Sequence, residues 1–142
     1  MATLKISDLS VGDWVSWKMY DKTYDIQVSA VTDRQIYGLH DGIEYSMLLT
    51  QICPIPITPE ILEANGWRND GMYAILRIDE HLHLEYYYHE HRLRKWYCGV
   101  DEWENHAKVN DITFQAHCYS VHQLQHALRL AGVDKEIVMP KK

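Results

Sequence analysis

The stretch HLHLEYYYHEHRLRKWY, residues 81–97, alternates polar and apolar side chains through its first half and holds four of the chain's nine histidines. Successive side chains of a strand point to opposite faces. Leu82, Leu84, Tyr86 and Tyr88 therefore share one face, while His81, His83, Glu85, Tyr87, His89 and His91 share the other. The first set reads as core. Further along, Leu93 and Tyr97 are the core candidates, with Arg92, Arg94 and Trp96 opposite, so the inward parity flips between His89 and Leu93. A β-bulge is the simplest cause. The end of one strand and the start of another would flip it equally well.

The same alternation recurs on both sides of this stretch. Upstream, Val15, Trp17 and Met19 alternate with polar neighbours after a turn at Gly12-Asp13. Strands are expected over residues 25–32, 34–40 and 43–49, the last two joined by Asp41-Gly42, a hairpin signal. So many short strands in sequence call for a small SH3-like barrel or a curled meander. The prolines of CPIPITPEILEANGW, residues 53–67, then form an extended connector. Thr58 caps a helix that begins at Pro59, and Gly66 ends it with Trp67 folded back on Leu62.

A strand over residues 73–78 should pair with the histidine stretch through a tight turn at Asp79-Glu80, and residues 99–110 read as irregular. Residues 111–119 form a further strand that leads into a helix capped by Ser120, with Val121, Leu124, Leu128 and Ala131 as its buried stripe before Gly132. KEIVM, residues 135–139, suggests a short terminal strand. The expected class is α+β, mostly β: a barrel-like lobe over residues 1–57, then residues 58–142 as an antiparallel sheet packed by two helices, in one cooperative unit.

Composition narrows the function classes. The chain has 142 residues, a formal net charge of −6, and 10 Tyr and 5 Trp against a single Phe. Net negative charge opposes the phosphate neutralisation on which bulk nucleic-acid binding depends. Rings with polar tips suit interfaces and ligand pockets. No charged-then-apolar leader and no long apolar run occur, so a cytoplasmic protein without a membrane partner is expected, in the cytoplasm of a host cell. Cys53, Cys98 and Cys118 lack C-x-x-C spacing and fit reduced thiols, at least two of them in the core.

The polar face of residues 81–97 admits three chemistries. His81, His83, His89 and His91, with Glu85, supply enough ligand atoms for zinc, but a zinc site needs further ligands that no other element identifiably provides. Alternatively, the histidines simply face water. In the third case Arg92, Arg94 and Lys95 make charge-assisted contacts to phosphate while Tyr87 or Trp96 stacks on a ring, and His122, His126 and Arg129 of the last helix border the same cavity. G-x-S-x-G, H-E-x-x-H and phosphate-binding glycine loops are all missing, and no catalytic residue is assigned. His117 and Cys118 are adjacent, which in a strand points them to opposite faces.

PIPITPEILEANGW and YSVHQLQHALRLAG, together with the opening DLSVGDWV, resemble small proteins encoded by phages and mobile elements of gut bacteria. That group has no assigned activity and implies no catalytic residues. The resemblance implies a genetic setting in which small proteins bind host components. The leading expectation is a non-enzymatic binding protein, without a cofactor, that sequesters a small anionic nucleotide-derived immune signal in counter-defence. Two copies would build a deeper pocket, so a homo-oligomer is expected. The alternatives are a zinc-dependent phosphodiesterase on the four histidines and an adaptor that binds a host protein.

Overall fold

A computed structural model describes residues 4–100 and 108–140. The fold is α+β and mostly β, with two five-stranded antiparallel sheets and two α-helices. The chain divides into two compact units. One comprises residues 1–56 with Ser120–Gln125, the other Ile57–Tyr119 with His126–Lys142.

In the first unit β1 (Trp14–Met19), β2 (Lys22–Val31), β3 (Ile36–His40), β4 (Ile43–Met47) and β5 (Ile52–Cys53) lie in the order β4-β3-β2-β1-β5. β4 and β5 are its edges, so the sheet is a curled meander and not a closed barrel. Asp41 and Gly42 both take positive φ, 51° and 79°, as the tight hairpin between β3 and β4 requires. Val15, Trp17, Ile26, Val28, Ile36, Met47 and Ile52 bury one face of the sheet. Met19, expected to continue that row, is exposed at the strand's end. The final segment of this unit opens a helix and is tied down by a side chain. Gln125, 4% exposed, accepts from Trp14 N at 2.8 Å and donates to Gly12 O at 2.9 Å.

The second unit begins with α1 (Pro59–Ala64). Thr58 Oγ1 accepts from Ile61 N, and the helix closes with Gly66 N donating to Glu63 O at 3.1 Å and Trp67 N to Leu62 O at 3.0 Å. This is a Schellman ending on Gly66, whose φ is 88°. β6 (Arg68–Asn69), β7 (Tyr73–Arg77), β8 (Leu82–Tyr87), β9 (Arg92–Val100) and β10 (Lys108–His117) follow in the order β10-β9-β8-β7-β6. Asp79 Oδ1 forms the turn between β7 and β8 by accepting from His81 N and Leu82 N, each at 2.8 Å. Those two bonds hold the Asp79 carboxyl below the usual carboxylate range.

The parity flip in residues 81–97 comes from a hairpin turn over residues 88–91, with His91 at φ 53°, and not from a bulge. The bulge of this sheet lies in β10, at Thr113. Residues 99–110, expected to be irregular, contain the end of β9 and the start of β10, while 101–107 fall outside the described residues. Ala74, Leu76, Leu84, Tyr86 and Leu93 form the buried face. Tyr97 is a correction: it continues the Leu93 row but is 40% exposed, its ring 5.7 Å from that of His81.

The last helix, α2 (Val121–Leu130), buries Val121, Leu124, Leu128 and, just past its end, Ala131. Leu124 N donates to Ser120 O at 3.0 Å, as expected of an N-cap carbonyl. Gly132 N to Arg129 O and Val133 N to Leu128 O close a second Schellman ending. Residues 135–139 form no strand. Asn65 instead holds them extended, its side chain donating to Val138 O and accepting from Val138 N.

Candidate ligand-binding face

The β8–β9 register pairs His83 with Trp96, Glu85 with Arg94 and Tyr87 with Arg92. Directly opposed residues share a face, so these six side chains stand together on the side of the sheet away from Leu84 and Leu93. β7 extends the rows with Arg77, Ile75 and Tyr73, and β10 with Ile112, Gln115 and His117.

Glu85 is the hub of this face. Its side chain is 15% exposed and both carboxylate oxygens are engaged: Oε1 lies 2.9 Å from His83 Nε2, and Oε2 accepts from the Tyr87 hydroxyl. Burial, followed by the bond to Glu85, raises the Tyr87 phenol above its ordinary pKa. The guanidinium carbon of Arg94 sits 5.2 Å from the centre of the Tyr87 ring, a cation–π contact. His83 and Trp96 lie nearly parallel, 12° between planes and 6.4 Å between centroids. Tyr73 and Tyr87 add a tilted pair at 5.6 Å.

Two donors on this face meet no acceptor among the described residues: Arg94 Nε and Trp96 Nε1, both shielded from water. A shielded N–H without a partner costs on the order of 1–3 kcal/mol, and Trp17 Nε1 in the core of the first unit is a third such donor among the described residues.

Of the residues singled out from the sequence, Tyr87, Arg92, Arg94 and Trp96 come together here. Lys95 does not. It pairs with Leu84 on the core side, and its Nζ donates to Ala131 O at 2.7 Å, a cation on the last carbonyls of α2. The end of α2 therefore lies on the core side of the sheet, and His126 and Arg129 are not carried to the outer face. His122 belongs to the first unit, where it is buried with Nδ1 3.1 Å from Ser120 Oγ. Tyr73, Arg77 and Gln115, and with them His117, join this face only through the register with β7 and β10, and Glu90 joins it from the turn. Glu90 lies in the turn, where strand alternation does not run, so the turn's geometry and not parity brings it to the arginines.

The four histidines considered for zinc are dispersed. His81 contacts Tyr97, His83 contacts Glu85 and Trp96, and His91 packs its ring 4.8 Å from that of Tyr119. His89 is exposed in the turn. Among the described residues no group of three or more His, Cys, Asp or Glu side chains could hold a metal. Cys118 is buried, and burial pushes its thiol up to about 12, which removes the thiolate a nucleophile needs. Of the three thiols, at least two of which were expected in the core, Cys118 is buried there and Cys53 is exposed, while the Cys98 side chain lies outside the described residues.

No family model, curated protein or solved structure matches the chain. The chemistry of the face is therefore its main guide to function: guanidinium groups, nearly parallel rings and, among the described residues, two N–H donors without an acceptor on an antiparallel sheet. No helix among the described residues is long and apolar enough to cross a membrane.

Proposed function

We propose that the chain is a non-enzymatic binding protein whose outer sheet face takes a small anionic ligand bearing a planar ring, with nucleotide-derived molecules as the matching class. The observation that carries this is the convergence of Arg92, Arg94, Tyr87 and Trp96 on one face, two of them with N–H groups that meet no acceptor among the described residues. Guanidinium groups recognise phosphate through charge-assisted pairs of hydrogen bonds, and aromatic rings stack on bases of any identity. The resemblance to phage and mobile-element proteins supplies a setting, sequestration of a nucleotide-derived immune signal in counter-defence, with pairing of two copies as a way to deepen an open face.

The test is calorimetry with cyclic dinucleotides, cyclic ADP-ribose isomers and adenine nucleotides. Arg92→Gln combined with Arg94→Gln should abolish or sharply weaken binding while leaving the melting temperature within a few degrees. Two lost contacts at about 1.5–3 kcal/mol each correspond to a hundredfold or more in affinity. Trp96→Ala should cost about 1–3 kcal/mol, with little dependence on salt. If no ligand of the panel gives heat or a thermal shift with the unmodified chain, the binding role fails and an adaptor for a host protein takes its place.

A further inference from the structure

The turn between β8 and β9 carries a carboxylate on the same side as the two arginines. Glu90 Oε2 lies 3.7 Å from Arg92 Nε and 3.9 Å from Arg94 Nη2, a single oxygen shared between two guanidinium groups. Charge-assisted hydrogen bonds close to about 2.7–2.9 Å, so neither contact is a formed bond. The Glu90 side chain is 50% exposed, and a half-solvated pair at such distances is weak. Nη2 and Nε lie on one edge of the Arg94 guanidinium, the edge that takes two oxygens of a single anion. Glu90 directs one oxygen towards Nη2, and Nε meets no acceptor among the described residues. A tetrahedral anion has the oxygens to serve both.

We propose that the point held by Glu90 Oε2 is the phosphate subsite of this face, and that the ligand is a nucleoside phosphate whose phosphate displaces the carboxylate while its base lies against the His83–Trp96 pair. This subsite rests on the binding role proposed above. The spacing supports the assignment. Trp96 follows Arg94 on the same face at two residues along the strand, about 7 Å, a span one ribose bridges. The two rings are nearly parallel, so a base can align its plane with theirs. Glu90 acts as a resident competitor. It neutralises the arginines while the face is empty and is weak enough to yield to a dianion.

The test uses adenosine 5′-monophosphate and inorganic phosphate as probes, titrated at low salt into the unmodified chain and into Glu90→Gln, Glu90→Gln with Arg92→Gln and Arg94→Gln, and Trp96→Ala variants. Removing a competing exposed charge should tighten binding of both probes by about two- to fivefold. The gain should disappear when the two arginines are also replaced. The nucleotide should bind more tightly than phosphate, and Trp96→Ala should remove that advantage while leaving phosphate binding unchanged. Glu90→Gln that binds no more tightly than the unmodified chain, while Glu90→Gln with Arg92→Gln and Arg94→Gln loses binding, would overturn the subsite and leave the binding face standing. A nucleotide no tighter than phosphate would overturn the seat for the base. No binding of either probe by any variant would overturn the subsite together with the face.

Discussion

Gly38, in the middle of β3, has no room for a side chain: a Cβ there would lie 2.1 Å from Ile26 Cγ2 and 2.8 Å from Met47 Cε. The neighbouring strands close over this backbone, so the residue is needed for space and not for an unusual φ. Gly38→Ala should therefore destabilise the fold by about 1–3 kcal/mol, the range for overpacking a filled core. A lowered urea midpoint with an unchanged slope would show it, and full tolerance would mean that β2 and β4 can separate locally. Residues of this kind are invisible to sequence periodicity, because a glycine in a strand pattern looks like a weak point and the neighbours that require it are brought by other strands. Lys95 illustrates the same limit. Its position in a basic cluster suggested phosphate, yet strand parity alone turns it inwards, and only the arrival of α2 at Ala131 O explains why a charge is tolerated there. The shared outward face of Arg92, Arg94 and Trp96, which needs parity and nothing else, was legible.

At the scale of elements, the β8–β9 hairpin sets both the core and the face, and its two sides should respond oppositely to substitution. Leu84 is fully buried, whereas the His83 side chain is 22% exposed and engages Glu85. Leu84→Asp should unfold the second unit, since an unpaired carboxylate in an apolar core costs on the order of 4 kcal/mol or more. His83→Ala should lower the melting temperature only slightly. Circular dichroism melts giving equal shifts at the two positions would reverse the face assignment. Elements with local punctuation were legible: Asp41-Gly42, Thr58-Pro59, and the Gly66 and Gly132 endings each announce themselves within a few residues. Two elements were not. The turn over residues 88–91, one of the two causes the parity flip allowed, could not be told from a bulge because its residues, YHEH, carry no glycine or proline, and His91 takes the positive φ instead. The terminal run at residues 135–139 has strand composition, but its hydrogen bonds go to the Asn65 side chain, a partner some seventy positions away.

For the molecule as a whole, the buried acids of the second unit determine how stability responds to alkali. The Tyr86 ring is 1% exposed and Cys118 is fully buried, and the Tyr86 hydroxyl donates to Cys118 O at 2.6 Å. Burial raises the Tyr86 phenol well above its ordinary value and pushes the Cys118 thiol up to about 12. In the unfolded chain these groups regain ordinary values of about 10 and about 8.5. Below those values both states hold the protons, and the contribution to stability is fully present. As the pH rises beyond them, the unfolded chain releases protons that the folded chain retains, so unfolding is favoured increasingly until the folded groups themselves ionise. The melting temperature should accordingly be level near neutral pH and fall progressively above about pH 9. Tyr86→Phe combined with Cys118→Ala removes both groups. This variant should start from a lower melting temperature, because a buried hydrogen bond and some packing are lost, but should show a shallower alkaline slope. The slope distinguishes linkage from packing: a parallel decline in the variant and the unmodified chain would place the alkaline sensitivity in other groups. A decline flattened by the double change would assign it to this buried pair.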